Sequence, residues 1–194
     1  MSAPDTSPAV TSPTTSSFGR FLLFRAVPAL VIAAVITFNA NHAIILGQLT
    51  FMAFAFVISP LFLMAAFTSG LVTGARRAFV AMAVLAVVAA AVSAITIGQG
   101  QVAFTLTVGL WAALSGLLEL FAGWVSTDRA QSREMLLLGG LTAVFGLVEA
   151  VIPLSDLYAV GLLGAYAAIL GVFSAIAGFS FGFGASARTN KKAN

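Results

Sequence analysis

Three ionisable side chains lie within long apolar stretches of this chain: Arg25, Glu119 and Glu149. An ionisable residue at membrane depth is a functional candidate by default. Arg25, near the start of the first stretch, and Glu119, near the end of the fourth, fall at similar depth from the same side of the membrane and are expected to pair. An isolated charge at the bilayer centre costs ~2.5–3.5 kcal/mol on insertion scales, and less near an interface. The plainer reading of each is a clamp between helices, or a side chain that snorkels to the headgroups. Glu149, about one turn from the end of the fifth stretch, falls near the opposite side of the membrane, where its protonation would follow the pH of the outer compartment; the plainer reading is an interfacial carboxylate. The two glutamates sit near opposite faces, so neither a carboxylate pair for acid–base work nor a two-metal site is expected.

Other chemistry finds no support. His42, in a short outer loop with Asn39 and Asn41, is the one histidine, and there is no cysteine. That set cannot ligate haem in the usual ways, build a zinc site or form a disulfide. No serine has a histidine base in its pattern. Gly139-Gly140 lies in an apolar stretch, where it cannot be a strand-flanked phosphate cradle. No metal, cofactor or catalytic residue is expected, and the chain reads as non-enzymatic.

The elements that hold these residues must be membrane helices. The chain is 60% hydrophobic and 8% charged, against about 25% charged in soluble proteins. Six apolar runs of spanning length are expected at Phe21–Phe38, Ala43–Phe67, Ala78–Ile97, Val102–Trp124, Glu134–Ile152 and Leu157–Phe183. Each is near the ~20 residues that carry a helix across a bilayer, and only helices satisfy their backbone locally there. The strands of a β-barrel would be shorter and alternating. Pro28 and Pro60 fall inside helices, Pro153 ends the fifth, and Trp124 and Tyr158 fall near interfaces. The fold class is an all-α integral membrane protein. Residues 1–19 are expected as a disordered Ser/Thr/Pro-rich tail, 20–184 as the transmembrane domain and 185–194 as a basic tail. The first run, with Arg20 and Arg25 beside it, could also pass for a secretory signal; the repeat described below requires it as a helix.

All nine basic residues fall on one side of the membrane so drawn. Arg20 and Arg25 stand at the start, Arg76 and Arg77 after the second run, Arg129 and Arg133 after the fourth, and Arg188, Lys191 and Lys192 after the sixth. Basic residues mark the cytoplasmic side, which puts both termini there. Spread over four segments without a basic–aromatic interleaving pattern, they suit anionic headgroups rather than nucleic acid. Asp128, Arg129, Arg133 and Glu134 read as a solvated loop of mixed charge. Arg outnumbers Lys seven to two, which fits a bacterial chain from a GC-rich genome and a cytoplasmic-membrane location.

Glycines recur with a period of seven. Gly109, Gly116 and Gly123 lie in the fourth run, Gly139 and Gly146 in the fifth, and Gly164, Gly171 and Gly178 in the sixth. Small residues let membrane helices approach closely, and a heptad keeps them on one seam. The expected use is packing within the chain; Gly178 with Gly182 could instead serve a homo-oligomer. Gly109-Leu-Trp-Ala-Ala-Leu-Ser-Gly116 aligns with Gly164-Ala-Tyr-Ala-Ala-Ile-Leu-Gly171, and Arg20/Arg76 and Arg77/Arg133 are each 56 apart. The chain reads as three copies of a two-helix hairpin. The first copy is diverged, with Ser59-Pro60 where Ser115-Gly116 would fall.

With the Gly109–Glu119 segment, the Gly139-Gly140/Gly146 helix ending in Pro153, and Gly164–Gly171, the region from Ala78 to Phe183 resembles the HdeD-like family of small bacterial membrane proteins. The resemblance implies six membrane helices and a link to acid resistance, and no catalytic residues. The expected function is therefore a non-enzymatic membrane protein of acid or envelope-stress tolerance, with the lipid bilayer as its first partner. One alternative is an accessory subunit of a larger membrane complex, respiratory or lipid-exporting. The other is a small transporter or channel, which would need polar groups converging at mid-membrane; the Ala, Val, Leu, Gly and Phe of the mid-helix positions speak against it.

Overall fold

In a computed structural model of the chain, residues 13–40, 42–152 and 155–190 are described, with side chains between 17 and 181. The described residues form α1 (Pro13–Phe38), α2 (Ile44–Thr68), α3 (Thr73–Ile95), α4 (Gln101–Val125), α5 (Arg129–Val151) and α6 (Asp156–Asn190), with no strand among them. Each helix contains a window of mean hydropathy between 1.6 and 2.6 and is long enough to cross a bilayer. The chain is an all-α, multi-pass integral membrane protein.

Several boundaries correct the sequence reading. α1 starts at Pro13, so the irregular tail expected through residue 19 is helical over its last seven residues. Proline suits a first helical position, where its missing N–H would have no partner anyway. Phe18 then holds this turn down, buried against Phe21 and edge-on to Phe181. α6 likewise runs to Asn190, so residues 185–190 of the expected basic tail continue the helix. Residues 1–12, Asn41, Pro153, Lys191 and Lys192 lie outside the described residues, as do the side chains of Gly182 and Arg188.

Arg76 and Arg77 belong to α3, and Arg129, Arg133 and Glu134 belong to α5, instead of to the loops. The expected mixed-charge loop at 128–134 is a capped helix start. The Asp128 carboxylate accepts from the backbone N–H of Ala130 at 2.9 Å and of Gln131 at 3.3 Å. An acidic N-cap satisfies donors that the first turn leaves free. Between α3 and α4, Gly98 (φ 78°) and Gly100 (φ 86°) hold the left-handed backbone that a tight reversal needs.

The helices alternate in role. α2, α4 and α6 touch one another around the centre. Each odd helix packs between two even ones: α1 between α6 and α2, α3 between α2 and α4, α5 between α4 and α6. Outer faces are apolar, as the exposed stripe Leu110, Leu114, Leu117 and Phe121 of α4 illustrates. Such a stripe suits contact with lipid tails. The opposite face of the same helix buries Thr105, Ala112, Ser115 and Glu119. Trp124 and Tyr158 are exposed near helix ends, where aromatic belts form.

The heptad glycines line two seams. Gly109, Gly116 and Gly123 of α4 face Ala150, Ala143 and Leu136 of α5, so the two helices run antiparallel in a steady register. A methyl at Gly116 would lie 2.3 Å from the Ala143 backbone nitrogen, and one at Gly146 would lie 2.2 Å from that of Ala113. Gly139 meets the backbone of Leu120 in the same way. On the second seam Gly164, Gly171 and Gly178 of α6 face Ile36, Leu30 and Leu23 of α1. Gly178 is therefore used within the chain. The α2–α3 seam uses alanine in place of glycine, and Ser59 Oγ donates to the Ala83 carbonyl at 3.0 Å.

The two kinds of glycine separate in a simple comparison. Gly116→Ala and Gly146→Ala push a methyl into a rigid backbone and should each lose on the order of 1–3 kcal/mol. Gly161→Ala, with open space around it, should leave the thermal midpoint unchanged or raised. Thermal unfolding in detergent, read by size-exclusion chromatography, checks this; equal losses at all three sites would contradict the seam.

Candidate functional site: a polar centre inside the bundle

The bundle buries its charge. Arg25 from α1 and Glu119 from α4 are each about 2% exposed and meet as a two-pronged ion pair. Nη1 donates to Oε1 in a short contact, and Nη2 donates to Oε2 at 2.9 Å. A planar guanidinium matches a carboxylate in this way, and the second prong fixes orientation as well as distance. The guanidinium carbon also lies 5.6 Å from the Phe62 ring centroid of α2, a cation–π contact. The depth that suggested pairing thus brings the two together, and neither snorkels to the surface.

Two further helices reach this pair. Tyr166 of α6 lies within electrostatic reach of both Arg25 and Glu119. Its ring stacks on Phe145 of α5 at 4.1 Å, with 5° between the planes. Its hydroxyl is 3.0 Å from Thr142 Oγ1, which donates to the Leu138 carbonyl at 2.8 Å. A threonine has one hydroxyl proton. With that proton on Leu138, Thr142 accepts and Tyr166 donates. Arg25, Glu119, Thr142 and Tyr166 thereby join α1, α4, α5 and α6.

Glu149 corrects the sequence reading. It was expected at an interface, facing the outer compartment. It is instead 0% exposed, with no hydrogen-bond partner for either carboxylate oxygen. The reason is periodicity: Glu149 follows Thr142 by seven residues, two turns of helix. It therefore shares the inward face of Thr142, although it lies two residues from the end of α5. Buried polar atoms without partners also include Trp111 Nε1, Ser115 Oγ, Ser174 Oγ and Arg25 Nε. Trp111 packs edge-on against Phe51 and Phe54 of α2.

The bundle nevertheless buries several polar groups, spread along its axis from the Arg25–Glu119 pair to Glu149. Arg25, Ser115, Glu119, Thr142, Glu149 and Ser174 are all buried in the bundle. Apolar side chains pack toward both ends of the bundle. Phe21, Phe62 and Phe79 interlock by their edges at the arginine-bearing end, near Phe18 and Phe181. At the opposite end Gly47 of α2 lies against Phe104 of α4 and Val160 of α6.

Sequence reasoning also missed Gln48. Its side chain donates to the Thr96 carbonyl at 2.9 Å and accepts from Gly98 N–H at 3.0 Å, pinning α2 to the α3–α4 turn. The signal was present, because an uncapped glutamine one turn inside an apolar helix needs partners. His42 is half-buried in the α1–α2 connection. Among the described residues, no three His, Cys, Asp or Glu side chains cluster as a metal site would require.

Among the described residues the arrangement holds a buried ion pair and one buried carboxyl without a partner. Comparisons with protein-family models, with curated proteins and with solved structures find no match to this chain.

Breaking a buried pair leaves an uncompensated charge, which costs ~3–5 kcal/mol. Arg25→Met and Glu119→Gln should each lower yield and thermal midpoint accordingly. The exchange Arg25→Glu with Glu119→Arg should recover part of the loss; an exchange no better than either single change would show that the pairing contributes nothing. Tyr166→Phe removes one hydrogen bond, worth ~0.6–1 kcal/mol in a membrane interior. Thr142→Val should cost a similar amount, and the double variant should cost no more than the larger single loss in the same unfolding assay.

Proposed function

We propose that this chain is a non-enzymatic membrane protein of the HdeD-like type, acting in acid or envelope-stress tolerance from a bacterial cytoplasmic membrane. Its termini face the cytoplasm, where Arg20, Arg76, Arg77, Arg129 and Arg133 meet anionic headgroups. The observation that carries the reading is Glu149, a carboxyl buried without a donor close to the end of α5 opposite those arginines. A group in that position exchanges protons with the outer compartment over two residues of helix. The same reading takes the fold as three repeated hairpins. In support, the three close seams α2–α3, α4–α5 and α6–α1 all join one hairpin to the next.

A second reading is a small proton-linked transporter. It draws on the convergence of Arg25, Glu119, Tyr166 and Thr142 at the centre, since buried ionisable groups in bundles mark ion and proton paths. Its weakness is the phenylalanines that interlock at the arginine-bearing end of the bundle.

Acid challenge of cells tests the first reading. Deleting the chain should lower survival, and restoring it as Glu149→Gln should fail to rescue while matching the unaltered protein in membrane abundance. Full rescue by Glu149→Gln would remove Glu149 from the function. Uptake of protons into vesicles holding the purified protein would move the assignment to the transporter.

A further inference from the structure

Two buried groups of complementary chemistry lie at one level of the bundle, each without a partner. Glu149 offers two acceptor oxygens, and Trp111 offers one indole N–H donor. Their level follows from the α4–α5 register. Gly109 faces Ala150 and Gly116 faces Ala143, so Trp111 lies at the axial level of Val148, one residue from Glu149. Both side chains are buried, at 0% and 3% exposure. Leaving complementary groups unpaired in an apolar interior is costly, and native structures rarely do so without a role for them.

We propose that Glu149 and Trp111 form a proton-responsive site: Glu149 binds and releases a proton, and its ionised form draws the Trp111 indole N–H into a hydrogen bond. This rests on the acid-response reading for its ligand, the proton, and adds the site and its transmission. In the protonated state the carboxyl is neutral, and Trp111 stays edge-on to Phe51 and Phe54 as described. When the proton leaves toward the nearby end of α5, the carboxylate requires a donor. Trp111 Nε1–H is the unpartnered donor at its level. No covalent bond is made: the O–H of the acid breaks, its proton goes to the outer medium, and the indole keeps its own.

Turning the indole also moves its contact with Phe51 and Phe54, so the proton on α5 is felt on α2. Other titratable groups around Glu149 stand apart. The Glu119 backbone of α4 meets Gly139 of α5, ten residues or ~15 Å along the axis from Glu149. The Glu119 side chain is already held by Arg25. Tyr166 of α6 is engaged with Thr142, two turns or ~10 Å away. Asp156 and Tyr158 of α6 are exposed to the outside of the bundle.

Trp111 and Trp124 are the only tryptophans, so the site carries its own reporter. The full chain with Trp124→Phe, purified into lipid nanodiscs, is titrated with acid and base. The Trp111 emission and the infrared carbonyl band of neutral carboxylic acid are followed together. The two signals should move with one midpoint. Both pH responses should vanish in Glu149→Gln and persist in Asp156→Asn. Trp111→Phe should keep the infrared titration but displace its midpoint by about one pH unit toward alkaline, the effect of losing one hydrogen bond to a charged group. An emission that stays flat while the carboxyl titrates would overturn the coupling, as would a pH response that survives Glu149→Gln. Circular dichroism and thermal midpoint distinguish loss of the site from loss of the fold; if Glu149→Gln unfolds, Glu149→Asp takes its place and should retain a displaced titration. A normal titration in a protein whose deletion leaves acid survival unchanged would support the site and overturn only the acid-tolerance reading.

Discussion

The Arg25–Glu119 ion pair crosses the middle of the bundle. α1 and α4 are not neighbours in the ring of helices, so the contact spans the space enclosed by α2 and α6. Removing two charges from water carries a penalty that Coulomb attraction offsets only when geometry is good and remaining donors are occupied. The structure meets most of those terms. Both carboxylate oxygens are bound, a phenylalanine face lies near the guanidinium, and a tyrosine hydroxyl sits within reach of both charges. One donor, Arg25 Nε, remains unpaired. The pair orders four helices around itself, and α5 and α6 meet where Tyr166 completes that set.

Charge at the centre is tolerable because the helices around it close tightly. Lipid tails are as apolar as leucine, so no hydrophobic drive brings membrane helices together, and close backbone contact must do so. Gly116, Gly139 and Gly146 let α4 and α5 touch through their backbones. Where the α2–α3 seam has alanines, Ser59 adds a hydrogen bond across it. Dispersion contact is lost steeply with separation, so a methyl at Gly146 would open the whole α4–α5 register and, with it, the alignment of Glu149 and Trp111.

The spans were legible because twenty apolar residues have one solution in lipid, and the glycine seams were legible because a heptad repeats on one face. The Arg25–Glu119 contact followed from depth alone. Helix ends were harder to place. Arg76 and Arg129 end the apolar runs in the sequence, but the helices include them, and α5 starts from its own cap at Asp128. The inward aim of Glu149 was obscured by its nearness to a terminus, although its spacing from Thr142 encodes the direction. Tyr166 and Thr142 each stand alone in an apolar run. Their meeting is a property of three-dimensional register, which a single span does not carry.

The ion pair joins residues 94 positions apart in the chain, and that separation constrains how the protein is made. During synthesis α1 enters the bilayer carrying Arg25 before α4 exists. The strong hydropathy of its span, 2.3 on average, must hold a lone cation at a cost of ~2.5–3.5 kcal/mol until Glu119 arrives. The seam between α1 and α6 closes later still, when the last helix emerges. The newborn chain therefore passes through an open arc of helices with its arginine unpaired, a state that quality-control proteases can recognise. Helix α6 acts as the latch that ends it.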